Sequence, residues 1–124
     1  LEGRSILVVE DEAATSLMIE SILSEVGCNV VGPAYDVAQA LALAARRDID
    51  CALLDVRLGN EFVYGAADVL SKNGIPVVFV TGYGASAIDP RFAAVPLIEK
   101  PFVQSEILQA IERATHRPRR ETVN

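Results

Sequence analysis

The sequence predicts an α/β domain built on a doubly wound parallel sheet with helices on both faces. Three observations predict it. Five short apolar runs recur at similar intervals, at positions 6–9, 30–31, 51–54, 75–80 and 95–98. The stretches between them carry apolar residues at helical spacing. The runs themselves lack polar alternation, which marks strands covered on both faces, and parallel strands need a crossover connection of the length seen here.

Taken in order, the first run ends at three acids, Glu10, Asp11 and Glu12. Leu17, Met18, Ile22, Leu23 and Val26 then mark the apolar face of a first helix, which Gly27 closes as a C′ residue. After the second run Asp36 is placed to cap a helix whose inner face is Val37, Ala40, Leu41 and Ala44. The third run ends at Asp55, and a third helix stops at Gly74 after Lys72. The fourth run ends at Thr81. From 84 to 96 the chain has Pro90 in its middle and little periodicity, so the fourth helix is expected to be short or irregular. The fifth run leads to Glu99, Lys100 and Pro101, and Ile107, Leu108, Ile111 and Ala114 mark the last helix.

A chain of 124 residues has the size of one compact domain. We expect that domain over 5–116, with a short N-terminal extension (1–4) and a basic C-terminal tail (117–124). The formal charge of −6 argues against direct DNA binding, which depends on neutralising phosphates with Lys and Arg. Arg113, Arg117, Arg119 and Arg120 are the local exception and read, with His116, as a solvated terminus. No stretch approaches the ~20 apolar residues of a membrane helix, and no signal peptide opens the chain, so a cytoplasmic location is expected. Cys28 and Cys51 fit neither a disulfide framework nor a metal spacing and are expected to remain thiols.

Ligands of doubly wound sheets bind at the carboxyl ends of the strands, so the informative residues lie just past each run. Glu10, Asp11, Asp55, Thr81 and Lys100 would meet on one rim. Carboxylates gathered so closely raise one another's pKa unless a cation compensates, which calls for a metal and a lysine. An oxygen-only donor set beside phosphate chemistry suits Mg²⁺.

On these residues the chain resembles the receiver domain of two-component response regulators, the CheY-like family. An acidic pair follows the first strand (Val8-Val9-Glu10-Asp11-Glu12), an Asp ends the third (Leu53-Leu54-Asp55-Val56-Arg57), a Thr ends the fourth (Phe79-Val80-Thr81-Gly82), and Lys100-Pro101-Phe102 follows the fifth. The resemblance covers residues 5–115. It implies the flavodoxin-like strand order 2-1-3-4-5, which would keep Cys28 and Cys51 about two strand spacings, or ~10 Å, apart, beyond disulfide reach.

It also implies a role for each residue. Asp55 would accept a phosphoryl group from a histidine kinase or a histidine phosphotransfer protein. Asp11 and Asp55 would ligate Mg²⁺ with the backbone carbonyl of Arg57, and Glu10 would act through a metal-bound water. Lys100 would pair with the phosphoryl oxygens, the Thr81 hydroxyl would swing to one of them, and the Lys100-Pro101 bond would be cis. Such a module signals by a changed surface to a downstream protein, as a monomer or weak homodimer, and is no enzyme beyond self-phosphorylation and autodephosphorylation at Asp55.

Two departures stand out. Many receivers carry an aromatic switch residue three places before the lysine, where this chain has Leu97. The string Phe79-Val80-Thr81-Gly82-Tyr83-Gly84 is similar to the motif of the often single-domain FAT GUY receivers, with Tyr83 one place early. Arg57 and Tyr83 flank the acceptor at positions that, by the same resemblance, tune how fast water removes the phosphoryl group.

Blander readings exist for each residue. The three acids could simply favour a helix N-terminus, Asp55 could form a turn, Thr81 cap a helix and Lys100 join a surface ion pair. Thr15 and Met18 could line a kinase docking face, or Met18 could fill the core. A rival class is a Mg²⁺-dependent phosphatase with an aspartyl nucleophile, but Arg57 stands where such an enzyme needs a second Asp as general acid. A pseudo-receiver that only docks, and a receiver cut from a hybrid kinase or larger regulator, complete the alternatives.

Overall fold

The computed structural model describes residues 1–84 and 88–116. Its main sheet joins β1 (Ser5–Val9), β2 (Asn29–Ala34), β3 (Cys51–Asp55), β6 (Val77–Thr81) and β7 (Leu97–Glu99), with helices α1 (Ala13–Glu25), α2 (Val37–Ala44), α3 (Tyr64–Lys72) and α4 (Gln104–His116). All pairings in that sheet are parallel, in the order β2-β1-β3-β6-β7. Leaving out the separate hairpin of β4 (Arg57–Leu58) and β5 (Glu61–Phe62), this is the 2-1-3-4-5 order expected from the resemblance.

Alternation along the strands divides the core into two layers. Leu7, Val9, Leu54 and Phe79 face one way, against Ala40, Ala44, Ala67 and Leu70 of α2 and α3. Ile6, Val8, Leu53 and Val78 face the other, against Ile19 and Leu23 of α1 and Ile107 and Ile111 of α4. Each fully buried aliphatic side chain contributes about 2 kcal/mol over exposure, so neither layer can spare its helices. Both sheet faces are therefore covered, which is why the strands read as continuous apolar runs.

The inner face of α1 differs from the sequence expectation. Ser16, Ile19, Ile22 and Leu23 are buried, whereas Leu17 and Met18 are exposed. Apolar residues at 17, 18, 19, 22 and 23 leave the inward direction undetermined, and packing against Ile6 and Val8 selects the face through Ile19. Strand limits shift as well. The runs from Ile75 and Val95 become strands only after Pro76 and Pro96, at Val77 and Leu97. Each proline lacks an N–H, yet its carbonyl accepts from the neighbouring strand, Ala52 N–H to Pro76 and Phe79 N–H to Pro96.

The second strand runs on through Gly32 and Pro33 to Ala34, with a register shift against β1 between Leu7 and Val9. Gly32 has φ 99°, and a Cβ there would meet Ala34 N at 2.9 Å and Val8 O at 3.0 Å, so only glycine fits. The sheet's borders are thus this kinked β2 and a β7 of three residues. Helix ends agree with the sequence. Asp36 accepts from Gln39 N–H at 2.8 Å, and Gly27 and Gly74 take positive φ after α1 and α3.

Between β6 and β7 the described residues hold only a 3-10 turn, Pro90–Phe92, capped by Asp89. It packs through Phe92 onto Tyr64 and Phe79. The half-buried Leu97 lies against the same core layer. Residues 1–4 are tied to the α1–β2 turn, Gly3 N–H donating to Gly27 O and Cys28 Sγ to Leu1 O. Cys28 and Cys51 are both buried and free, and burial pushes the Cys51 thiol up to about 12. No helix among the described residues is long and apolar enough to cross a membrane. The segment 117–124, including Arg117, Arg119 and Arg120, lies outside the described residues.

Candidate functional site

Adjacent strands deliver the site residues to one end of the sheet. Asp55 is the last residue of β3, Thr81 the last of β6, Glu10 follows β1 directly and Lys100 follows β7. Lys100 is fixed at its backbone, its N–H donating to Thr81 O at 2.8 Å, and its peptide bond to Pro101 is cis. From there its side chain reaches across the rim. Lys100 Nζ lies 3.0 Å from Glu10 Oε1, 3.1 Å from Glu12 Oε1 and 3.3 Å from Asp55 Oδ2.

Asp11 joins the group from the side. Glu10, Asp11 and Asp55 each offer a carboxylate oxygen within 4.8 Å of the other two. Asp11 Oδ2 accepts from Gly59 N–H at 2.9 Å, and Asp55 Oδ1 from Arg57 N–H at 3.4 Å. The Thr81 hydroxyl, almost wholly buried, accepts from Tyr83 N–H at 3.0 Å. The Arg57 guanidinium lies over two exposed rings, 5.8 Å from the centroid of Phe62 and 5.7 Å from that of Tyr83.

The electrostatics of this rim are strained. Burial pushes the Glu10 carboxyl up to about 7, and the neighbouring Asp55 adds to the push against the pull of Lys100. Burial likewise raises Asp55, opposed by Glu10's hydrogen bond and the Lys100 ammonium. For Lys100, burial works downward, but the hydrogen bond and charge of Glu10 and the charge of Asp55 together hold the ammonium above its ordinary value. One cation thus serves three carboxylates.

A divalent metal fits that imbalance. The donors are all carboxylate oxygens, and Glu10 Oε1, although 3.0 Å from the ammonium, is buried without a hydrogen-bond partner. A hard cation with its waters would satisfy both the charge and the orphaned oxygen. The reading of the three acids as favourable charge at a helix N-terminus holds for Glu12 by position alone, and it does not account for the convergence of Glu10, Asp11 and Asp55. Glu12 is the N-cap of α1 but makes no side-chain cap hydrogen bond, and the first turn of α1 contains no acid.

Sequence reasoning missed three contributors. Glu12 follows the first strand with no partner legible in the sequence, and only the fold shows it against Lys100. Gly59 and Phe62 belong to the β4–β5 hairpin. Its signal is visible in retrospect, since Gly59-Asn60 is a two-residue hairpin loop with glycine at the position of φ 62°.

Comparison with known proteins agrees with this geometry. The transcriptional regulatory protein PdtaR of Mycobacterium tuberculosis is 31% identical over 123 residues, covering 96% of this chain but 60% of PdtaR, so the chain spans about three fifths of that relative. The solution structure of SdrG from Sphingomonas melonis Fr1 superposes with a TM-score of 0.79 at 37% identity, covering 88% of this chain and 93% of SdrG. The receiver domain of the sensor histidine kinase PA1611 from Pseudomonas aeruginosa, solved with a magnesium ion coordinated in its active-site cleft, gives a TM-score of 0.80 at 26% identity, covering 93% and 99% of the two chains. The response regulator receiver domain family matches residues 6–112, a span that contains the whole main sheet but for Ser5 and every residue of the rim. The chain belongs to that family.

Proposed function

We propose that residues 5–116 work as a phosphoacceptor switch in which Asp55 takes a phosphoryl group from the phosphohistidine of a histidine kinase or histidine phosphotransfer protein. The observation that carries this reading is the convergence of Lys100 Nζ and the Glu10, Asp11 and Asp55 carboxylates at the end of β3. Asp11, Asp55 and the main-chain carbonyl of Arg57 would hold Mg²⁺, with Glu10 acting through a water. Bound there, the ion supplies charge neutralisation for the phosphoryl oxygens.

The chain's own residues do the rest. A carboxylate oxygen of Asp55 bonds to phosphorus as the P–N bond to the donor imidazole breaks, and the bonding pair leaves with the nitrogen. Lys100 is already positioned to balance charge that spreads over the phosphoryl oxygens. The Thr81 hydroxyl, held in the resting state by Tyr83 N–H, is the nearby donor that a phosphoryl oxygen would recruit. The added charge of about −1.5 to −2 then biases the loop after β6. Arg57, lying over Phe62 and Tyr83, and Tyr83 itself flank the path of water to the acyl phosphate and set its lifetime.

The output is a changed protein-binding surface in the cytoplasm, without direct DNA contact. A receiver lodged in a larger kinase, as in the sensor histidine kinase PA1611, would use the same chemistry in another context. The phosphatase reading loses its general acid, because Arg57 occupies that position and its guanidinium faces aromatic rings. Intact-mass measurement after treatment with a small phosphoramidate and Mg²⁺ tests the proposal. The wild type should gain one phosphoryl mass and Asp55→Ala none; labelling that survives in Asp55→Ala would place the acceptor elsewhere.

A further inference from the structure

Glu12 does not do what its place in the chain invites. It is the N-cap of α1, with the extended backbone of that position (φ −89°, ψ 118°), where a side-chain oxygen ordinarily accepts from an N–H of the first turn. Asp36 does so for α2. The Glu12 side chain caps nothing. Its Oε1 instead accepts from Thr15 Oγ1 at 3.2 Å and lies 3.1 Å from Lys100 Nζ, across 88 residues of sequence. Burial does not force this, because the Glu12 side chain is 63% exposed.

The other two partners of the ammonium, Glu10 and Asp55, belong to the carboxylate group suited to a divalent cation, and Glu12 stands outside that group. We propose that Glu12, oriented by Thr15, is a positioning residue that holds the Lys100 ammonium over Asp55, and that helix capping is given up for this purpose. The proposal rests on Asp55 being the acceptor. A lysine head on four flexible carbons samples solvent when one of its anchors is lost. Misplacing a charge needed at the transition state then slows transfer without altering metal binding.

Glu12→Ser separates this role from a structural one, because serine is a good N-cap and no anchor. In the full chain the variant should melt a few degrees higher. Its labelling by a phosphoramidate with saturating Mg²⁺ should be slower by roughly 3–10-fold, with Mg²⁺ affinity by calorimetry unchanged. Glu12→Gln, which keeps an acceptor for the ammonium, should recover part of the rate. Labelling of Glu12→Ser at the wild-type rate overturns the proposal, as does a loss of rate that merely follows a loss of stability or of Mg²⁺ affinity. ¹⁵N relaxation of the Lys100 ammonium in the resting protein provides an arm independent of labelling. The ammonium should be more mobile in Glu12→Ser than in wild type, and equal mobility would overturn the proposal. A wild type that takes no label while the ammonium is loosened in Glu12→Ser would count against the Asp55 reading and leave the anchoring role standing.

Discussion

Two neighbouring regions, the acidic rim and the aromatic group behind it, are held together by opposite means. At the rim a buried carboxylate oxygen has no hydrogen-bond partner and one ammonium is shared among three acids. In the aromatic group, Tyr64 stacks on Phe62 at 5.3 Å and on Phe92 at 4.8 Å, and Phe79 meets Tyr64 and Phe92 edge-on. The Tyr64 hydroxyl there accepts from Asp89 N–H at 2.9 Å. The first region gives up stability to keep a reactive arrangement of charge, while the second supplies stability to the loop that follows the site.

The largest effect expected from this contrast is on the aromatic side. Phe92→Ala removes a buried ring that touches Tyr64 and Phe79, and should cost about 3–4 kcal/mol in urea unfolding. The same variant should leave Mg²⁺ binding at the rim in place, and equal loss of both would mean that the two regions are one cooperative unit.

The next effect belongs to the rim and depends on pH. Burial beside Asp55 pushes the Glu10 carboxyl up to about 7 from its ordinary 4.5, so the folded state holds that proton more tightly than the unfolded chain. The resulting stabilisation is full below pH 4.5 and is lost as pH rises through about 7. Without divalent metal, about 3 kcal/mol should disappear across that window. Mg²⁺ should restore much of it at pH 8, and Glu10→Gln should flatten the profile. A pH-independent melting temperature in chelator would contradict the strained rim.

The smallest effect tests the satisfied hydroxyl. Tyr64→Phe keeps the stacked ring and orphans the Asp89 N–H, which should cost about 1 kcal/mol.

Legibility from sequence followed the same division. The strand ends that carry Asp55, Thr81 and Lys100 were visible because apolar runs buried on both faces stop abruptly at polar residues. Asp36, Gly27 and Gly74 were visible because capping is local chemistry. The inner face of α1 was not, since Leu17, Met18 and Ile19 are consecutive and only tertiary contact chooses among them. Glu12's partner and the Phe62–Tyr64–Phe92 stack were hidden for the same reason, as each joins segments far apart in the chain. The hairpin at Gly59 was readable in principle and lay masked by its shortness, two residues to a strand.

The borders of the main sheet carry a consequence of their own. Pro33 brings no amide hydrogen to the outer strand, and the shift of register beside it breaks the row of backbone groups that a visiting chain could match. The opposite border is too short to template much. Amyloid-like stacking and strand addition are both disfavoured at these two borders, which leaves side chains on helices and loops as the readier surface for recognition.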